Sequence, residues 1–150
     1  YRSGTDYFFR TRGEAEIAGG ELEATAPLSA SLALSVGAQW LRGEVRDDGS
    51  PLDDVPPAGL VVTLRGAPAE RLWWLARAAA YARDDRPGPT EVEVGSYATV
   101  DAGVGYALSE ALELSLLGRN LGNAEYYQTA DPNGVPAPGR SLQLTLRGRL

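Results

Sequence analysis

From Ser141 to Leu150, apolar and polar residues alternate without a miss. Leu142, Leu144, Leu146, Gly148 and Leu150 fall on one side, and Ser141, Gln143, Thr145, Arg147 and Arg149 on the other. A period of two is that of a β-strand. The chain stops within this run, and a strand so placed is expected to finish a sheet. The same alternation recurs upstream. Residues 14–25 set Ala15, Ile17, Leu22 and Ala24 against Glu14, Glu16, Glu21 and Glu23, with a change of phase at Gly19-Gly20 that suggests a bulge or a close backbone approach. Ser31–Arg46 places Leu32, Leu34, Val36, Ala38 and Trp40 together, and Leu60–Arg65 is a shorter run that can extend into its flanks. Tyr97–Leu108 and the segment from Leu112 to Arg119 alternate again. Leu72–Arg83 is rich in alanine, which favours a helix by propensity. Its neighbours need a partner there, and the alternation of Leu72 and Trp74 with Arg77 and Tyr81 predicts a strand. The count is about seven strands, with part of another at Tyr7–Arg12.

The connections carry as much information as the strands. Pro27–Ala30, Ala67–Arg71 and Ser109-Glu110 read as short turns, whereas 47–57, 84–94 and 122–138 are long and polar. Short and long connections take turns along the chain. In an up-and-down meander, one rim then carries only tight turns and the other only long loops. Outer-membrane barrels sort their connections this way, and their strands need about 9–11 residues to cross a bilayer at a tilt. Trp40 and Trp74 both lie on apolar faces, at opposite distances from their short turns, as two interfacial girdles require.

Composition narrows the chemistry. The chain has 150 residues, 18 glycines, 10 prolines, no cysteine and no histidine, with a net charge of −6. Disulfides, thiolate metal sites and cysteine nucleophiles are excluded, and the commonest general base is missing. The acidic balance argues against a nucleic-acid partner. No apolar run approaches the roughly 20 residues of a spanning helix. The N-terminus has no signal-peptide shape, so either the chain is not exported or it is a piece whose N-terminal part is missing. Asp47/Asp48, Asp53/Asp54 and Asp84/Asp85 are paired carboxylates in loops, suited to polar loop structure or to weak Ca²⁺ binding.

Four stretches then resemble the C-terminal part of the β-barrel of TonB-dependent outer-membrane receptors. They are Gly95–Glu110, Leu112–Tyr126 with its Arg119-Asn120-Leu121-Gly122-Asn123, the Pro136-Ala137-Pro138-Gly139-Arg140 that leads into the last strand, and that strand itself. Weaker similarity lies at Gly19–Glu23 and Leu52…Val55-Pro56-Pro57. The chain departs from the family pattern at Leu150, where the family usually ends in an aromatic residue, and at Gly122-Asn123. It also lacks the family's plug domain and TonB-contacting box.

The resemblance implies an all-β fold, an antiparallel meander forming the C-terminal segment of a transmembrane barrel over residues 1–150. It implies a place in the bacterial outer membrane and energised uptake of a scarce solute, an iron–siderophore or similar metal chelate. The partners implied are outer-membrane lipid, the TonB system acting through the missing plug, the barrel-assembly machinery at the C-terminal strand, and the chelate itself; no cofactor is implied. Asn120, Gly139, Arg140 and Leu150 fall in the structural motifs, and Arg140 is expected to order the last strand. Glu21, Glu23, Arg77, Asp101, Glu113, Arg119, Gln143, Arg147 and Arg149 would face the lumen, mostly as solvated or ion-paired wall residues. Tyr126, Tyr127, Arg86 and Trp73 are loop candidates for ligand contact, though nothing in the sequence singles them out. An autonomous small barrel with a structural or adhesive role is the competing reading, with a hydrolytic one behind it: no Gly-x-Ser-x-Gly elbow occurs. An open seven-stranded sheet would leave two bare edges in lipid, so the chain is expected to be part of something larger.

Overall fold

The structure is a computed structural model that describes residues 2–3, 6–7 and 13–148. Near the start, β1 (Arg2–Ser3) pairs antiparallel with β2 (Asp6–Tyr7). The expected partial strand at Tyr7–Arg12 falls, from residue 8 onward, outside the described residues, as do Arg149 and Leu150. Seven long strands follow: β3 (Ala15–Ser29), β4 (Leu32–Val45), β5 (Gly59–Ala69), β6 (Leu72–Tyr81), β7 (Tyr97–Ala107), β8 (Leu112–Arg119) and β9 (Ser141–Gly148). They form one sheet in chain order, and every neighbouring pair is antiparallel. The Ala-rich β6 is a strand: ladder partners on both sides outweigh the few tenths of a kcal/mol per residue by which alanine prefers a helix. The short Leu60 run extends on both flanks to 11 residues.

The register fixes two faces. Along one row Leu22, Ala38, Leu60, Ala80 and Ala98 lie side by side, and along another Leu32, Gly66, Trp74, Val104, Leu116 and Leu144. Rows of the opposite face carry Thr25, Ser35, Thr63, Arg77 and Asp101, or Ala107, Glu113 and Arg147. One face is therefore apolar across all seven strands, and the other is mixed and polar. The apolar face covers no core. Leu144 is 70% exposed and Val100 48%, and only Val45 and Ala79 are buried apolar residues among those described. A soluble sheet would pay heavily for this, at about 25 cal/mol per Å² of apolar surface left in water. A sheet with hydrocarbon against that face pays nothing.

The apolar face has an upper limit. Trp40 pairs with Gly20, and beyond them the same face carries Arg42, Glu44, Glu16 and Arg46. There Arg42 meets Glu44 at 3.3 Å and Arg46 meets Glu16 at 3.0 Å. Trp74 lies in the row of Leu32, eight residues below Trp40 along β4 and so about 26 Å away along the strand. The two indoles thus sit near opposite ends of the apolar face.

Three details differ from expectation. No bulge occurs at Gly19-Gly20, where pairing with Leu41 and Trp40 is continuous. The close approach is real, since a side chain at Gly19 would collide with the Trp40 carbonyl. The phase change in the sequence instead marks where β3 leaves the apolar zone, so Ile17 projects on the polar face and Glu16 on the outward one. The irregularities lie at Pro27/Ser29 and Gly66/Ala69, so β3 and β5 run four residues past the alternating runs that end at Thr25 and Arg65, and the turns shrink to Ala30-Ser31 and Glu70-Arg71. Pro27 and Pro68 lack the amide that a regular ladder needs, which accounts for bulges at these positions.

Substitution tests the two faces. In the complete protein reconstituted in lipid, Leu34→Arg should destabilise the sheet by about 2–4 kcal/mol in urea unfolding, because Leu34 lies mid-strand on the apolar face. Ser35→Arg, one residue along and facing the other way, should cost less than about 1 kcal/mol.

Candidate functional site

Sorting of the connections brings 46–58, 82–96 and 120–140 to one rim, while the other rim holds only 30–31, 70–71 and 108–111. The long segments are tied together. The Thr90 amide donates to Asp53 Oδ1 at 3.0 Å, and the Asp54 amide donates to Glu91 Oε1 at 2.9 Å. The Gly88 amide donates to Glu91 Oε2 at 2.8 Å, and the Val92 amide donates to the Ala130 carbonyl at 2.8 Å. Asp48 and Asp84 accept from the amides of Ser50 and Arg86 two residues on. The paired carboxylates thus build the loops, as short acidic side chains do in Asx-type turns. Among the described residues no group of three metal-ligating side chains gathers.

Segment 46–58 folds back onto the polar face. A side chain at Gly43 would meet Val55 and Leu52, and Val45 is buried nearby. Below this rim runs a row of Gln39, Gly59, Tyr81 and Tyr97. Gly59 leaves space for the Tyr81 ring, which a Cβ there would meet at 2.8 Å. Tyr97 stacks on Tyr81 with ring centroids 4.9 Å apart, and Tyr126 stacks on Tyr97 at 4.1 Å. A cavity of about 370 Å³ opens above the row, with Tyr127, Asp54, Asp84 and Glu91 on its margin. This volume lies in the range of ligand sites, about 300–1,000 Å³.

The sequence-derived candidates separate here. Tyr126 belongs to the ring stack and Tyr127 to the cavity margin. Arg86 lies elsewhere, 3.6 Å from Glu44 beside the charged end of the outward face. Trp73 is in β6 at the short-turn end rather than in a long loop. It is stacked on Gly105, just as Trp74 covers Gly66 on the other face. Large aromatics opposite strand glycines fill the gap that the glycine leaves. Tyr81 and Tyr97 were missed as site residues because each reads as an ordinary strand end. Only pairing across the sheet brings them together.

Wall residues Glu21, Glu23, Arg77, Asp101, Glu113, Arg119, Gln143 and Arg147 all occupy the polar face by register. Arg77 pairs with Asp101 at 3.2 Å across β6 and β7. The second oxygen of Asp101 accepts the Asn120 amide at 2.9 Å. Asn120 is 4% exposed and left-handed, with φ 47°. Its amide group donates to the carbonyls of Ala124 (2.9 Å) and Pro138 (3.3 Å), and its Oδ1 accepts the Ala124 amide at 2.9 Å. Asn123, also left-handed, accepts the Arg140 amide on Oδ1 at 2.9 Å, and a Cβ on Gly139 would come within 3.0 Å of that atom. One latch thus closes the 120–140 connection at its base and starts β9. Arg140 enters it through its backbone. At the rim, the Arg83 guanidinium is hydrogen-bonded to Glu93, and that bond, then the carboxylate's charge, holds it above its ordinary range.

Residues 1–121 match a family model described as TonB dependent receptor-like, beta-barrel. No protein of curated function matches the sequence. Among solved structures, the chain is similar to the copper transporter OprC, with a TM-score of 0.80 at 18% identity, covering 89% of this chain and 24% of that one. It is similar to the ferric yersiniabactin uptake receptor FyuA from Yersinia pestis, with a TM-score of 0.79 at 21% identity over 91% and 24% of the two chains. For the siderophore receptor PiuA from Acinetobacter baumannii the values are 0.74, 20%, 91% and 22%. At these identities the likeness is one of fold. The chain spans about a quarter of the length of these structures.

The latch gives a stability prediction. Asn120→Ala should cost about 1–3 kcal/mol by stranding buried carbonyls and an amide. Asn120→Gly should cost less, because glycine relieves the left-handed backbone. Chemical denaturation of both variants in detergent checks the order.

Proposed function

Since this chain belongs to the TonB-dependent receptor β-barrel family, we propose that residues 1–150 form the C-terminal segment of such a receptor's wall in the bacterial outer membrane. The receptor as a whole takes up a scarce metal or metal chelate by TonB-coupled transport. The observation that carries this reading is the sorting of surfaces. An apolar face spans seven strands, a polar face lies behind it, and all long connections gather at one rim. Iron chelates and copper both enter the choice of cargo, because the structurally similar proteins are described as a ferric yersiniabactin receptor, a siderophore receptor and a copper transporter.

The sheet also supports the segmental reading. β3 and β9 stand at opposite ends of the strand order and make no contact with each other, and β3 is exposed along its whole length. Unsatisfied edge groups in hydrocarbon cost several kcal/mol each. Further strands therefore complete the cylinder, and a plug and TonB contact come from elsewhere in the receptor. The C-terminal strand is the part offered to the barrel-assembly machinery.

Two measurements test this. Uptake of labelled iron(III) or copper chelates into receptor-deficient cells should require both the complete receptor and TonB. Accumulation that persists without TonB would refute the transport reading. In detergent micelles, residues 1–150 alone should give no heat-modifiable band on electrophoresis, whereas a closed, heat-modifiable species would establish an autonomous barrel.

A further inference from the structure

We propose that the cavity at the loop rim selects a positively charged ligand, a cationic metal chelate, over the polyanionic chelates that ferric catecholates form. This rests on the receptor reading and specifies its substrate class. The first observation is the lining. Three tyrosines (Tyr81, Tyr97 and Tyr127) and three carboxylates (Asp54, Asp84 and Glu91) share a space of about 370 Å³, and no arginine is among its lining residues. Tyr97 is stacked between Tyr81 and Tyr126, so Tyr127 is the phenol whose face is open to a cation through the ring quadrupole. Carboxylates at the mouth of a cleft focus a negative field and raise the local concentration of cations.

The second observation is where the chain keeps its charge. The three long connections hold ten carboxylates against four arginines, a balance of −6 that equals the net charge of the whole chain. The strands and short turns carry only −2 in sum. Excess negative charge is thus concentrated in the connections of the long-loop rim. The third is the fate of the rim arginines. Arg46 is paired with Glu14 and Glu16, Arg83 with Glu93 and Arg86 with Glu44. None of the four rim arginines lines the cavity. A polyanion entering this space would face carboxylates with no guanidinium to offset them.

The experiment uses the full-length receptor in detergent and three iron(III) complexes. One is a linear trihydroxamate bearing a free ammonium group, a monocation. The second is the same complex with that amine acetylated, which is neutral. The third is a tris-catecholate, a trianion. Intrinsic-fluorescence quenching reports binding. At low salt the monocation should bind at least about fivefold tighter than its acetylated twin, an advantage expected to shrink as salt is added. Asp54→Asn should reduce that advantage, and Tyr127→Leu should weaken both complexes. Equal binding of the monocation and its twin, no binding of the monocation, or tightest binding of the trianion would each overturn the inference. If the trianion is imported in a TonB-dependent way, the charge assignment fails while the receptor reading stands. If no chelate shows TonB dependence, the receptor reading is what fails.

Discussion

A sheet face that is apolar and yet covers no core is the constraint from which the rest of this structure follows, and the proposed receptor wall sets hydrocarbon against it. A medium that offers no hydrogen bonds requires each strand to satisfy its backbone sideways, hence the continuous ladder from β3 to β9. It also requires the outward side chains to be apolar whether or not anything in the protein touches them. That is why Leu22, Val100 and Leu144 lie open and yet are in their proper place. Because no core is needed, the opposite face is free to be polar, and ion pairs such as Arg77–Asp101 stand where a soluble sheet would place leucines.

The same constraint explains what was legible in the sequence. Alternation along Ser141–Leu150, Tyr97–Leu108 and Ser31–Arg46 is plain in the sequence because the two faces of the sheet differ in chemistry along most of its span. The sorting of short and long connections is equally visible, since it needs only counting. Turn positions were less legible. Pro27 and Pro68 look like turn residues, but each sits in a bulge that lets its strand continue to the next pair of residues. Of the two readings that the phase change at Gly19-Gly20 allows, the close backbone approach is the one found, because a change of surroundings along a straight strand and a bulge leave the same trace in a pattern of apolar residues.

The site was less legible than the fold for a different reason. Tyr81, Tyr97 and Tyr126 are separated by 16 and 29 residues in sequence, and only the pairing of β6 with β7 and the return of the 120–140 connection stack them. Trp73 looked like a loop aromatic, yet it fills the space above a glycine on the next strand. Asn120 and Arg140 were recognisable as motif residues, but not the way they act. Asn120 works through a buried side-chain amide, and Arg140 contributes its peptide N–H rather than its charge.

Stitching among the three long segments has a mechanical consequence. Segment 82–96 is tied to 46–58 through Asp53 and Glu91 and to 120–140 through Ala130, so a displacement of this middle segment strains both others. The stretch of rim built by this chain therefore resembles a door frame more than a set of independent curtains. Under the transport reading proposed above, this stretch presents incoming solute with a threshold of set shape and sign rather than with a moving lip.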